Sequence, residues 1–151
     1  MVIREAFTVR APVERVWAFL EDVPRLATYV PGVEAVEETG PDRYRGRLAV
    51  RIGPISARFE GVVRIIQREP PARLEAEMEG QDGASASWVK AAFLGTLEPA
   101  AEGTRLACEI DLTLRGRLAQ FGSAVLEATA RRMIHAFAQR LQEALESPHA
   151  P

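Results

Sequence analysis

Lysine, asparagine, cysteine and histidine are scarce in this 151-residue chain. Lys90 is the only lysine, every other basic residue is arginine, and asparagine is absent. Codon usage in a GC-rich genome accounts for that bias; a thermophile also avoids thermolabile asparagine, though it usually enriches lysine. A single cysteine, Cys108, excludes an intramolecular disulfide and fits a reducing compartment. The two histidines, His135 and His149, make no metal site where they stand. No apolar run reaches the roughly 18 residues of a membrane-spanning helix, and the first residues lack the basic-then-apolar layout of a signal peptide. A cytoplasmic location is therefore expected. With a formal net charge of -2, nothing electrostatic points to nucleic acid as a partner.

Hydrophobic patterning is plentiful. Residues 116–146 contain no proline and one internal glycine, Gly122. Leu118, Phe121, Val125, Leu126, Thr129, Met133, Phe137, Leu141 and Leu145 recur there at helical spacing. The pattern predicts one long amphipathic helix of roughly 45 Å, ended before Pro148. His135, Arg131, Arg132, Gln139 and Arg140 fall on its polar face. Near the other terminus, residues 2–10 read as a strand, and Pro12 opens a short helix with Val13, Val16, Trp17 and Leu20 inward. A second helical turn is expected around residues 26–29, and Pro31-Gly32 as a tight turn into a strand.

From Val33 to Arg115 the period becomes two. Tyr44, Gly46, Leu48, Val50 and Ile52 oppose Arg43, Arg45, Arg47 and Arg51, and a turn at Gly53-Pro54 leads into Ile55, Ala57, Phe59, Gly61, Val63 and Ile65. Leu74, Ala76 and Met78 oppose a glutamate row, and Leu106, Cys108, Ile110, Leu112 and Leu114 form the last series. One apolar and one charged face marks an antiparallel sheet wet on one side, its arginine and glutamate rows pairing across strands. Residues 84–97 are ambiguous: Trp88 and Phe93 lie in opposite phases, and a bulge would bring both inward. Six or seven strands, two short helices and a long terminal helix make one α+β domain over residues 1–146, with a frayed tail at 147–151.

Catalytic equipment is thin. Cys108 reads as a small buried hydrophobe, and no nucleophile stands beside a histidine. Gly80-Gln-Asp-Gly83 lacks the spacing and context of a phosphate loop. Lys90, Tyr29 and Tyr44 are the only arguable ionisable groups for a cavity. No cofactor or metal is implied.

The segment from Phe7 through Ala11-Pro12 to Trp17, then Leu20 and Asp22, resembles the opening of the helix-grip fold of START-type and birch-pollen-allergen-like proteins. Further motifs resemble one branch, the carbon monoxide dehydrogenase G-subunit family. They are Tyr29-Val-Pro-Gly-Val33, Arg51-Ile-Gly-Pro-Ile-Ser-Ala-Arg-Phe-Glu-Gly61, Glu69-Pro-Pro71, Gly103-Thr-Arg-Leu106 and Arg115-Gly-Arg-Leu-Ala-Gln-Phe-Gly122. The resemblance implies a curved antiparallel sheet around the long helix. It also implies an accessory role to a membrane-linked molybdenum hydroxylase of the carbon monoxide dehydrogenase type, with a quinone or lipid as ligand. Some relatives carry an anchoring extension after the helix; nothing of that kind follows here, so transient contact with the inner membrane is expected.

A helix across a curved sheet leaves room for a ligand. Phe59, Met78, Phe93, Phe121, Val125, Thr129, Met133 and Phe137 are expected to line that room, with Trp17, Tyr29 and Trp88 at its mouth. Each taken singly reads as ordinary core. Tryptophan at Val125 or Gly61 is expected to block the cavity. Two other functions stay open: a cyclase- or hydratase-type enzyme of the same superfamily, or an interaction module with a vestigial cavity.

Overall fold

The computed structural model describes residues 1–146; the predicted tail and His149 lie outside the described residues. A strand, β1 (Val2–Val9), leads into two short helices, α1 (Val13–Glu21) and α2 (Val23–Ala27). Six strands follow: β2 (Val33–Gly40), β3 (Arg43–Ile52), β4 (Ile55–Glu69), β5 (Arg73–Asp82), β6 (Ser87–Ala100) and β7 (Gly103–Arg115). They form one antiparallel seven-stranded sheet in the order β1-β7-β6-β5-β4-β3-β2. A 3-10 turn, Arg117–Phe121, then precedes α3 (Ser123–Glu146).

The predicted helix over 116–146 is corrected to two pieces. Gly122 adopts φ 86°, in the left-handed region that favours glycine, and there the 3-10 turn ends before α3 starts. At 24 residues α3 is about 36 Å long. It lies chiefly along β1, the sheet edge, and reaches β3. Its buried line is Leu126, Thr129, Ile134, Ala138, Leu141 and Leu145; Val125, Met133 and Phe137 are only half-buried. Leu126, Thr129, Leu141 and Leu145 are thus buried as the predicted stripe has them, and Ile134 and Ala138 join them from outside it. Pro12 caps α1 from outside the helix, and Phe19 joins Val16, Trp17 and Leu20 in its buried face. Asp22 starts α2 by accepting the Arg25 N–H at 3.3 Å, a side-chain cap on a free helix end.

The ambiguous strand is regular. β6 pairs with β5 and β7 without a register shift, placing Ser87, Val89, Ala91, Phe93, Gly95 and Leu97 inward. No bulge turns Trp88 in; it stands on the outer face, 38% exposed. Along that face the charged rows meet as expected: Arg64 bonds Glu77 at 2.7 Å, Arg47 meets Glu60 at 3.3 Å, and Lys90 meets Glu79 at 3.8 Å. Exposed pairs of this kind contribute little each.

Candidate ligand site between helix and sheet

Three glycines line up across the sheet. The hairpin at Gly53-Pro54 sets Gly46 opposite Gly61, and Gly61 in turn pairs with Gly80. All three occupy the inward phase, so β3, β4 and β5 present a row with no side chains. The row continues through Val89 to Leu114. A Cβ on Gly61 would collide with the Glu79 carbonyl oxygen at 2.0 Å, so the sheet is bent too sharply there for any other residue.

That row divides the apolar interior. On one side Ile52, Ala57, Phe59, Leu118 and Leu126 cluster, with Phe121, Val125 and Val89 packed against them. On the other, Tyr44, Ile65, Leu74, Ala76, Leu106, Cys108, Ile134, Leu141 and the buried faces of β1 and α1 form the larger cluster. Leu126 belongs to the first and Ile134 to the second, so the turns of α3 between them, carrying Thr129, Ala130 and Met133, bridge the break. Leu48, Met78, Ala91 and Met133 are buried or half-buried yet belong to neither cluster. Those four, with the glycine row and Thr129, border the candidate site.

Its chemistry is apolar. The Thr129 hydroxyl donates to the Val125 carbonyl at 2.9 Å and so is spent within the helix. No bordering residue is ionisable. Thioethers from two methionines give the site walls that repack around irregular ligands.

The expected lining residues divide accordingly. Met78, Met133 and Thr129 stand at the break. Phe59, Phe121 and Val125 form one wall; Phe93 and Phe137 pack against the opposite cluster, the Phe93 ring leaning over Gly95. Trp17 is buried core, its indole N–H donating to Glu21 at 3.0 Å, and Tyr29 half-buries its ring 5.0 Å from Phe19; both belong to the α1 end of the larger cluster. Trp88 lies on the wrong face of the sheet to serve as a mouth. The glycine row, Leu48 and Ala91 are absent from the expected lining, although the two-residue hairpin alone places Gly46 against Gly61. Tryptophan at Gly61 is also corrected as a test, because the bend has no room for even a methyl group.

The ionisable groups arguable for a cavity lie elsewhere. Lys90 is on the outer face, and Tyr44 is buried in the larger cluster. Burial pushes the Cys108 thiol up, which keeps it protonated and unreactive. One acidic side chain, Glu5, shares the inward phase of β1 and meets α3: Arg131 donates to its carboxylate at 2.6 Å and His135 lies 3.2 Å away. Chiefly through the Arg131 hydrogen bond, opposed by burial and aided by His135, its carboxyl is held below the usual range. Two hollows stand out on the surface, both on the outer face. One of about 440 Å³ has Ala6, Leu94 and Ala107 among its lining, and one of about 760 Å³ lies beside Trp88.

A family model for the G subunit of carbon monoxide dehydrogenase (CoxG) matches residues 6–146. The chain belongs to the CoxG family. Among solved structures, a conserved protein from Geobacillus kaustophilus superposes with a TM-score of 0.88 at 22% identity, over 97% of this chain and 95% of that one. A START superfamily protein from Mycobacterium smegmatis gives 0.72 at 14%, over 96% and 97%. A Thermus thermophilus protein gives 0.71 at 19%, over 95% of each. These likenesses show that this CoxG-family chain has the START-type α+β fold. No curated protein matches. Among the described residues, no helix is long and apolar enough to cross a membrane.

Proposed function

We propose that this chain is a non-enzymatic carrier of a hydrophobic small molecule, of quinone or lipid type, and an accessory to a carbon monoxide dehydrogenase-type molybdenum hydroxylase. The observation that carries the ligand reading is the break in the core at Gly46, Gly61 and Gly80, bridged by side chains that pack into neither cluster. A protein interior is normally filled to crystal-like density, so an aligned row without side chains under a helix is a place built to be occupied. Family membership supports the accessory role and the partner enzyme. With no ionisable group bordering the break, recognition is by shape and apolar area, which suits a prenyl or acyl chain.

The experiment is titration with a short-chain quinone and with a fluorescent fatty acid, after solvent extraction of the protein purified from its host. Wild-type protein should bind one equivalent. Ala91→Phe, which fills the break from β6, should weaken binding at least about tenfold with the fold intact by circular dichroism. Failure of the wild type to bind either probe, together with an empty extract, would sink the carrier reading in favour of an interaction module.

A further inference from the structure

An irregularity in β4 brings one charged residue inside. Simple alternation onward from Arg64 and Ile66 would leave Arg68 on the outer face. The register shift between Ile65 and Gln67 instead sets Arg68 opposite Leu74, which is 3% exposed. Arg68 therefore shares the inward phase with Val63 and Ile65, a side chain re-aimed by a bulge. Its guanidinium reaches back to the Asp42 carboxylate, and the Asp42 carbonyl accepts the Ile65 N–H at 2.9 Å. Arg68 Nε is buried and has no hydrogen-bond partner among the described residues.

A second donor stands unmet nearby. Tyr44 is 7% exposed, and among the described residues its hydroxyl has no hydrogen-bond partner. Tyr44 lies two residues from Asp42 on β3, so both donors belong to the end of the interior toward the β2–β3 turn. The row that starts at Tyr44 runs through Val63 to Met78 and Ala91, two of the side chains that border the break. Polar groups withdrawn from water cost free energy while they stay unpaired, and nearly all in native proteins are paired. Two unmet donors at one end of an apolar interior call for an acceptor.

We propose that Tyr44 Oη and Arg68 Nε hold the oxygen head of the carried molecule, with its apolar tail in the break. Both groups donate, so the head must accept. The Arg68 charge is already matched by Asp42, and Glu38 stands opposite Tyr44 on β2. A carboxylate head would bring a further negative charge beside those two, so this end selects a neutral carbonyl, as in a quinone, over a fatty acid. The role given to Tyr44 and Arg68 rests on the carrier reading and adds a polar end to the apolar site.

The probes are hexyltrimethylbenzoquinone, the corresponding alkylbenzene that lacks only the two carbonyls, and dodecanoate, each titrated into ligand-stripped protein. Wild type should bind the quinone. Tyr44→Phe should bind it about tenfold more weakly and leave alkylbenzene affinity unchanged. The same variant should unfold at the urea midpoint of wild type or above it, because the hydroxyl it removes has no partner to lose. Arg68→Lys keeps a charge for Asp42 but not the Nε donor, and should weaken the quinone by a similar factor. The carbonyl stretch of bound quinone should fall in the wild type and return toward its unbound value in the double variant Tyr44→Phe, Arg68→Lys. Equal quinone affinity in wild type and Tyr44→Phe overturns the head-group role while the carrier reading stands. Binding of dodecanoate in place of the quinone also leaves the carrier reading and overturns the neutral head. Wild-type protein that binds none of the three overturns both.

Discussion

Gly61 and Gly80 face one another across β4 and β5 so closely that a Cβ on Gly61 would lie 2.7 Å from the Gly80 Cα. The contact is backbone against backbone, which no side-chain rotation relieves. Gly61→Ala should therefore cost about 3 kcal/mol or more, since β4 or β5 must shift. Gly83→Ala meets nothing within 4 Å and should stay within about 0.5 kcal/mol of wild type. Urea denaturation of both variants measures this. Equal midpoints would mean that the bend tolerates a side chain and that the glycine row has another cause.

The break in the core predicts unequal costs along α3. Leu141 is 0% exposed within the larger cluster, and Leu141→Ala should lose about 3 kcal/mol through transfer and cavity terms. Met133 is half-buried and packs into neither cluster, so Met133→Ala should lose about 1 kcal/mol or less. The comparison is read from denaturation midpoints at unchanged slope. A cost at Met133 equal to that at Leu141 would show the break to be filled core.

Much of this was legible in the sequence. The period-two runs gave the sheet, and the motifs at Tyr29 to Val33 and Arg51 to Gly61 gave the family; Arg47, Arg64 and Lys90 met glutamates across strands as expected, while Arg43, Arg45 and Arg51 on the same face form no ion pair among the described residues. The ligand site was not, for a definite reason. Gly46 and Gly61 are fixed opposite one another by a two-residue turn, but the alignment of Gly61 with Gly80 depends on an irregularity between Ile65 and Gln67 in β4. One extra residue there shifts the whole later register, and alternation of apolar residues does not locate it, because Ile65 and Ile66 are both isoleucine, one buried and one exposed. The helix failed differently. Gly122 reads as tolerable inside an amphipathic pattern, and only its positive φ reveals the break between the 3-10 turn and α3.

Glu5 predicts a pH dependence. Its folded carboxyl is held below the usual carboxylate range, chiefly by Arg131, with His135 contributing and Glu127 sharing the same guanidinium. A depressed acid stabilises the fold above its unfolded pKa, and that stability is lost as pH falls through the folded value. The midpoint difference between wild type and Glu5→Gln should thus be largest near neutral pH and shrink from about pH 5 to about pH 3. A difference that stays constant over that range would place the Glu5 carboxylate outside the network with α3.

Two tryptophans on opposite sides of the sheet give the last prediction. Trp17 is buried against the larger cluster with its N–H held by Glu21, while Trp88 projects from the outer face beside Arg115. Acrylamide should therefore quench two populations of emission, one accessible and one shielded. Trp88→Phe should remove the accessible one and change stability by about 0.5 kcal/mol or less, because little packing surrounds an outer-face side chain. Trp17→Ala should cost about 3 kcal/mol or more, since it empties a volume that α1 cannot collapse into. Uniform quenching in the wild type would mean that Trp88 is covered, and an inward Trp88 would return it to the ligand site.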